Sequence, residues 1–229
     1  MIVKLNYWVI EINVNFYCSI LFINLFYYFV LVIQIKNNVF LRSKQHIVMS
    51  QKILLTSKDV NIILHRLACQ LIEKHTDFSE TILVGIQPRG IFLAERLKTV
   101  LEKDYSISNI SLGYLDITFF RDDFRRTDKP IEANKTQINF LVENKKVIFI
   151  DDVLYTGRSI RSALTAIQSF GRPSEIELLV LIDRRFSRHL PIQPDYRGRQ
   201  VDAINDEKVK VCWRAQDGED GVYLINKNQ

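Results

Sequence analysis

Between residues 57 and 75 apolar side chains return at Val60, Ile63, Leu64, Leu67, Ala68, Leu71 and Ile72, a spacing that predicts one buried helical face, with Ser57 as a candidate N-cap. The period then changes. Thr81–Ile86 has the short, β-branched look of a strand, Gln87-Pro88-Arg89-Gly90 breaks it, and a helical rhythm resumes through Ile91, Leu93, Ala94, Leu97 and Leu101. Residues 111–120 read as a strand. Residues 121–135 are dense in charge, contain Pro130 and lack an apolar period, which predicts an exposed, mobile excursion. Residues 145–150 climb into a buried strand, 151–158 read as a turn, and 159–170 as a helix that Gly171-Arg172-Pro173 stops. Residues 176–182 form the next predicted strand. An Arg-studded loop with Pro191 and Pro194 follows, then two strands at 208–214 and 221–225. Strands separated by helices predict an α/β fold: a mostly parallel sheet flanked by helices, with a late antiparallel addition.

The first 48 residues are of different composition. No charged side chain occurs between residues 12 and 35, and residues 16–33 are apolar enough to be read as a membrane span. As a signal anchor this stretch would leave the rest of the chain in the cytosol, because Lys36, Arg42 and Lys44 follow it. The other reading is translated AT-rich DNA upstream of a start at Met49, since more than half of the 48 positions are Phe, Ile, Lys, Asn or Tyr and none is Ala, Gly, Pro or Asp. We favour the second, which divides the chain into an apolar extension, 1–48, and a domain, 49–229. The extension also carries three of the five net positive charges, so the domain is only mildly basic and a polyanion site would need local clustering. Cys18, Cys69 and Cys212 are too scattered for a zinc module or a disulfide framework, and a reducing, cytoplasmic setting is expected.

In a doubly wound sheet ligands gather beyond the carboxyl ends of strands. There the run Asp151-Asp152-Val153-Leu154-Tyr155-Thr156-Gly157-Arg158-Ser159 stands out. Backbone N–H groups at Thr156-Gly157-Arg158-Ser159, two hydroxyls and the positive end of a helix dipole suit a phosphate. Two adjacent carboxylates would repel that phosphate and suit sugar hydroxyls and a hydrated divalent cation instead. Together they describe a sugar phosphate. Neither GxxxxGK[ST] nor GxGxxG occurs.

This run resembles the phosphoribosyl-diphosphate signature of type I phosphoribosyltransferases. Three further segments narrow the resemblance to the family of bifunctional pyrimidine-operon attenuation regulators and uracil phosphoribosyltransferases: residues 82–91, residues 116–123, and residues 171–196 with Asp183-Arg184 and Leu190-Pro191-Ile192. The likeness covers about residues 52–225. It implies a type I phosphoribosyltransferase-like fold with a flexible flap, and formation of UMP and pyrophosphate from uracil and phosphoribosyl diphosphate with Mg²⁺.

The resemblance also assigns roles. Asp151 and Asp152 would hold the ribose hydroxyls, directly or through Mg²⁺-bound water; Val153, Leu154, Tyr155, Thr156, Gly157, Arg158 and Ser159 would grip the 5′-phosphate. Gln87, Pro88, Arg89 and Gly90 would form the pyrophosphate loop, and Arg121, Asp122 and Asp123 the flap. Asp183, Arg184 and Arg185 fall in the base region, where relatives use mostly backbone groups. The family's second role, binding a pyrimidine-operon leader messenger RNA through a dimer surface, makes Arg66, Arg184, Arg188, Arg197 and Arg199 candidate contacts and a homo-oligomer the expected assembly. His65, Cys69 and the insertion-like Phe186-Ser187 depart from the family pattern in the RNA-binding regions. Three readings stay open: a uracil phosphoribosyltransferase, chiefly an RNA-binding attenuator, and a transferase for another base.

Overall fold

A computed structural model describes residues 51–122, 133–203 and 207–226. The chain runs β1 (Gln51–Leu55), α1 (Ser57–His75), β2 (Thr81–Ile86), α2 (Gly90–Lys103), β3 (Ser111–Leu115), β4 (Lys146–Leu154), α3 (Arg158–Ile167), β5 (Glu175–Arg184), β6 (Tyr196–Val201), β7 (Glu207–Cys212), the single-turn α4 (Arg214–Asp217) and β8 (Gly221–Asn226). The apolar extension, the start at Met49, and Asp123 of the expected flap lie outside the described residues. Among those described, no helix is long and apolar enough to cross a membrane.

Five strands form a parallel sheet in the order β3-β2-β4-β5-β6. Side chains alternate across it, so Leu83, Ile148, Ile150, Leu179 and Leu181 join α1 and α2 in one apolar layer, while Ile82, Val84, Val147, Phe149 and Val180 join Ile160, Ala163 and Ile167 of α3 in the other. Both faces are covered. That is why β2 and the first half of β4 read as unbroken apolar runs rather than as alternation. From β2 the chain moves outward to β3, from β4 it moves the opposite way to β5, and the reversal leaves a crevice beyond the carboxyl ends of β2 and β4.

The expected late antiparallel strands form a separate sheet, β1-β8-β7, in which the first described strand pairs with the last: Lys52 faces Leu224. Val209, Val211, Trp213 and Val222 carry this sheet into the α1 side of the core. Three boundaries differ from the sequence reading. Thr56, not Ser57, caps α1: its Oγ1 accepts the Asp59 N–H (3.3 Å) while Asp59 Oδ2 accepts the Thr56 N–H (2.8 Å). The strand expected at 111–120 stops at Leu115 and continues into a 3₁₀ turn, Thr118–Phe120. The Arg-studded loop contains β6, an edge strand in which Tyr196 and Val201 are the buried residues.

A polar cluster is buried near the amino ends of these strands. Glu177 Oε2 on β5 accepts the Tyr196 hydroxyl (2.7 Å) and lies 2.9 Å from His75 Nε2, and His75 Nδ1 lies 3.0 Å from the Thr81 hydroxyl. Lys74 pairs with the other Glu177 oxygen. The cluster therefore ties the last turn of α1 to β2, β5 and β6.

Candidate active site

Asp151 and Asp152, expected in a turn, are instead inside β4, whose pairing with β5 runs on to Leu154 opposite Asp183. The neighbouring strand fixes the backbone that carries both carboxyls. Asp151 Oδ1 accepts the Asp152 N–H (2.9 Å). Burial and the adjacent Asp152 charge push the Asp151 carboxyl well above the ordinary carboxylate range, against the Asp152 N–H bond and the Arg121 charge. Burial also raises Asp152, although Arg89 opposes it with an Nε–H bond to Oδ2 at 3.1 Å.

Arg89 comes from the β2–α2 loop, whose Gln87–Pro88 peptide is cis. Gln87 is buried, its N–H donates to Leu115 O (3.0 Å) and its side-chain amide to Lys135 O (3.0 Å). Gly90 starts α2 against β4: a Cβ there would stand 2.2 Å from Ile150 O. Only glycine lets this loop lie beside the carboxylates. Asp217 and Gln216, which sequence reasoning missed, also take bonds from Arg89; their local sequence carries no signal that its partner is so distant.

After β4 the chain turns at Gly157, φ 90°, into α3. The N-cap has no side chain and the first helical turn holds no acid, so the positive end of α3 faces the crevice unneutralised by its own residues. Arg188 staples the loop from outside. Its guanidinium donates to Leu154 O, Arg184 O and Ile192 O, each at 3.1 Å, and to Tyr155 O and Asp183. Arg184 is buried with its guanidinium 4.0 Å above the Tyr155 ring. The loop after β4 and the end of β5 are therefore tied together, and Arg184 and Arg188, expected as RNA contacts, are engaged inside the chain. Arg185 pairs with Asp202 at 2.7 Å. Asp183, Arg184, Arg185 and Phe186 share a cavity of about 410 Å³ with Leu190 and Arg197.

Asp116 pins both ends of the charged excursion. One oxygen accepts Thr118 N–H (2.9 Å) and its hydroxyl (2.6 Å), the other Asn134 N–H (2.8 Å). Of the flap residues, Arg121 and Asp122 are exposed, and Asp122 sits 2.8 Å from Arg161 and 3.7 Å from Arg158.

A carboxylate pair and a helix start without an acid lie at the switch point of a parallel sheet, and residues 50–216 match the model of the phosphoribosyl transferase domain. Within that class the chain belongs to the bifunctional PyrR family. It is 43% identical to the bifunctional protein PyrR of Gloeothece citriformis over 75% of this chain and 96% of that one, and 41% identical to that of Synechocystis over 75% and 95%. Among solved structures, the hypoxanthine phosphoribosyltransferase of Staphylococcus aureus superposes with a TM-score of 0.57 at 23% identity, covering 77% of this chain and 93% of that one. That of Trypanosoma cruzi gives 0.57 at 14%, covering 76% and 96%. These two likenesses concern the fold.

Proposed function

We propose that the chain transfers ribose 5-phosphate from phosphoribosyl diphosphate to uracil, releasing UMP and pyrophosphate. The observation that carries this reading is the adjacent carboxylates of Asp151 and Asp152 at the end of β4, beside an α3 start that lacks an acid. Such an arrangement takes an anionic phosphate at one end and polyhydroxyl or cationic character at the other. The pair offers only oxygen donors, which fits Mg²⁺. When bound, Mg²⁺ supplies charge neutralisation to the leaving pyrophosphate.

The chain's own residues do the rest. Backbone N–H groups from Val153 to Gly157, with Leu154, Tyr155, Thr156, Arg158 and Ser159, hold the 5′-phosphate. Arg89 and the N–H groups beside Gly90 meet the diphosphate. Asp151 and Asp152 hold the ribose hydroxyls, and their field favours positive charge developing on the sugar ring as the bond to pyrophosphate lengthens. Arg121 and Asp122 exclude water when the flap closes. The base sits over the region of Asp183, Arg184 and Arg185.

Product formation with uracil, orotate and hypoxanthine at matched phosphoribosyl diphosphate tests the reading: uracil is expected to give the largest kcat/KM, and a larger value for hypoxanthine overturns the base assignment. Gly90→Ala, which forces α2 away from β4, is expected to lower kcat/KM about 100-fold and to lower the melting temperature.

RNA binding is the second role we propose. Arg66 Nη2 donates to Arg197 O at 3.1 Å, and Arg197 and Arg199 lie two apart on the edge strand β6, so three exposed guanidinium groups share one surface. Arg199→Ala is expected to weaken a gel shift with the leader RNA of the chain's own pyrimidine operon by about tenfold and to flatten its salt dependence.

A further inference from the structure

The outer edge of the Arg89 guanidinium is held by a part of the chain distant from the phosphate loops. Arg89 Nη2 donates to Asp217 Oδ2 (3.2 Å) and to Val211 O, and Nη1 donates to Gln216 Oε1 (3.3 Å), leaving Nε to face Asp152. Asp217 is itself fixed: its Oδ2 accepts the Trp213 N–H (2.9 Å), and Trp213 is anchored in the core. That backbone bond, reinforced by Arg89, keeps the Asp217 carboxyl below its ordinary range.

We propose that Asp217 is a positioning residue for the donor site, acting through Arg89. A free guanidinium beside two carboxylates would rotate to pair with them bidentately, and so quench the charge that the ribose and the cation need. Asp217, Gln216 and Val211 O occupy the Nη groups and prevent that rotation. Arg89 then contacts Asp152 through one N–H and stays at the mouth of the crevice for the diphosphate. The small antiparallel sheet thereby sets donor affinity without touching the donor. This rests on the reading that Arg89 meets the diphosphate.

Steady-state kinetics and donor calorimetry on the full chain test it. Asp217→Asn keeps an acceptor for the Trp213 N–H but loses the charge; it is expected to raise the donor KM about tenfold with kcat within twofold and the uracil KM unchanged. Asp217→Glu should recover most of the loss. Arg89→Ala should raise the donor KM at least as much, and Arg89→Ala/Asp217→Asn no further than Arg89→Ala alone. An unchanged donor KM in Asp217→Asn, or additive effects in the double variant, overturns the positioning role while leaving Arg89's own role standing. Arg89→Ala with normal donor affinity overturns both. If Asp217→Asn fails to fold, Gln216→Ala leaves the Trp213 bond in place and is expected to raise the donor KM twofold to threefold; no change there overturns the proposal.

Discussion

The Asp151→Asn/Asp152→Asn enzyme is expected to fold normally and to form nucleotide about 1,000-fold more slowly. Both effects come from the same fact. Each carboxyl has its pKa raised by burial, and Asp151 also by its neighbour. A carboxyl raised in the folded state favours folding at low pH, where it is protonated, and loses that advantage as pH rises through the folded value. Ionising the pair therefore opposes folding, and replacing both groups with neutral amides removes that opposition while keeping the shape. Thermal melts at neutral pH should show no loss, and a gain is consistent with the argument. Turnover loses the negative field at the sugar ring and the oxygens for the cation. The same shifts predict that kcat/KM of the unaltered enzyme falls on the acid side at a pH above the ordinary carboxylate range, and that Asp151→Asn alters this limb. Near-normal turnover in the double variant would sink the assigned roles.

The second large effect falls at the other end of the sheet. Glu177→Ala is expected to cost about 3–5 kcal/mol of stability, and on the order of 10 °C in melting temperature, with kcat per folded molecule retained. Glu177 is 2% exposed and receives bonds from Tyr196, His75 and Lys74. Its removal leaves the Tyr196 hydroxyl and a His75 nitrogen buried without that partner. Burial raises the Glu177 carboxyl, but the bonds from Lys74, Tyr196 and His75 outweigh it and hold the value below the ordinary range. A lowered carboxyl contributes stability above its unfolded value and loses it as pH falls through the folded one. The gap between the two proteins should thus narrow in acid, as denaturant melts across pH would show. A gap that widens there would refute the charge assignment.

What the sequence made legible follows from how local each cause is. β2 was read with the boundaries the structure has, because strands on both sides and helices on both faces demand an uninterrupted apolar run. Thr156 to Ser159 and Arg89 stand out in the sequence for a similar reason: a loop between a strand and a helix declares itself within a few residues. β1 was not read as a strand, since three of its five residues are exposed and its partner is β8, at the far end of the described chain. β6 was hidden because Arg197 and Arg199 face outward from an edge. Arg188 looked like a free surface cation in a list of arginines, yet its partners are mostly backbone carbonyls, which every residue possesses and no sequence pattern marks. Asp151 and Asp152 were placed in a turn because carboxylates rarely continue a buried strand; here they do, and burial raises both carboxyls.

The pairing of β1 with β8 bears on biosynthesis. A ribosome releases β1 long before its partner exists, whereas the parallel sheet from β2 to β6 can assemble on the emerging polypeptide. Trp213 and Asp217 follow later still, so the clamp on Arg89 closes only after β7 has been made. Nascent chains stalled before β7 would carry a nearly finished sheet and both loops, yet bind donor poorly.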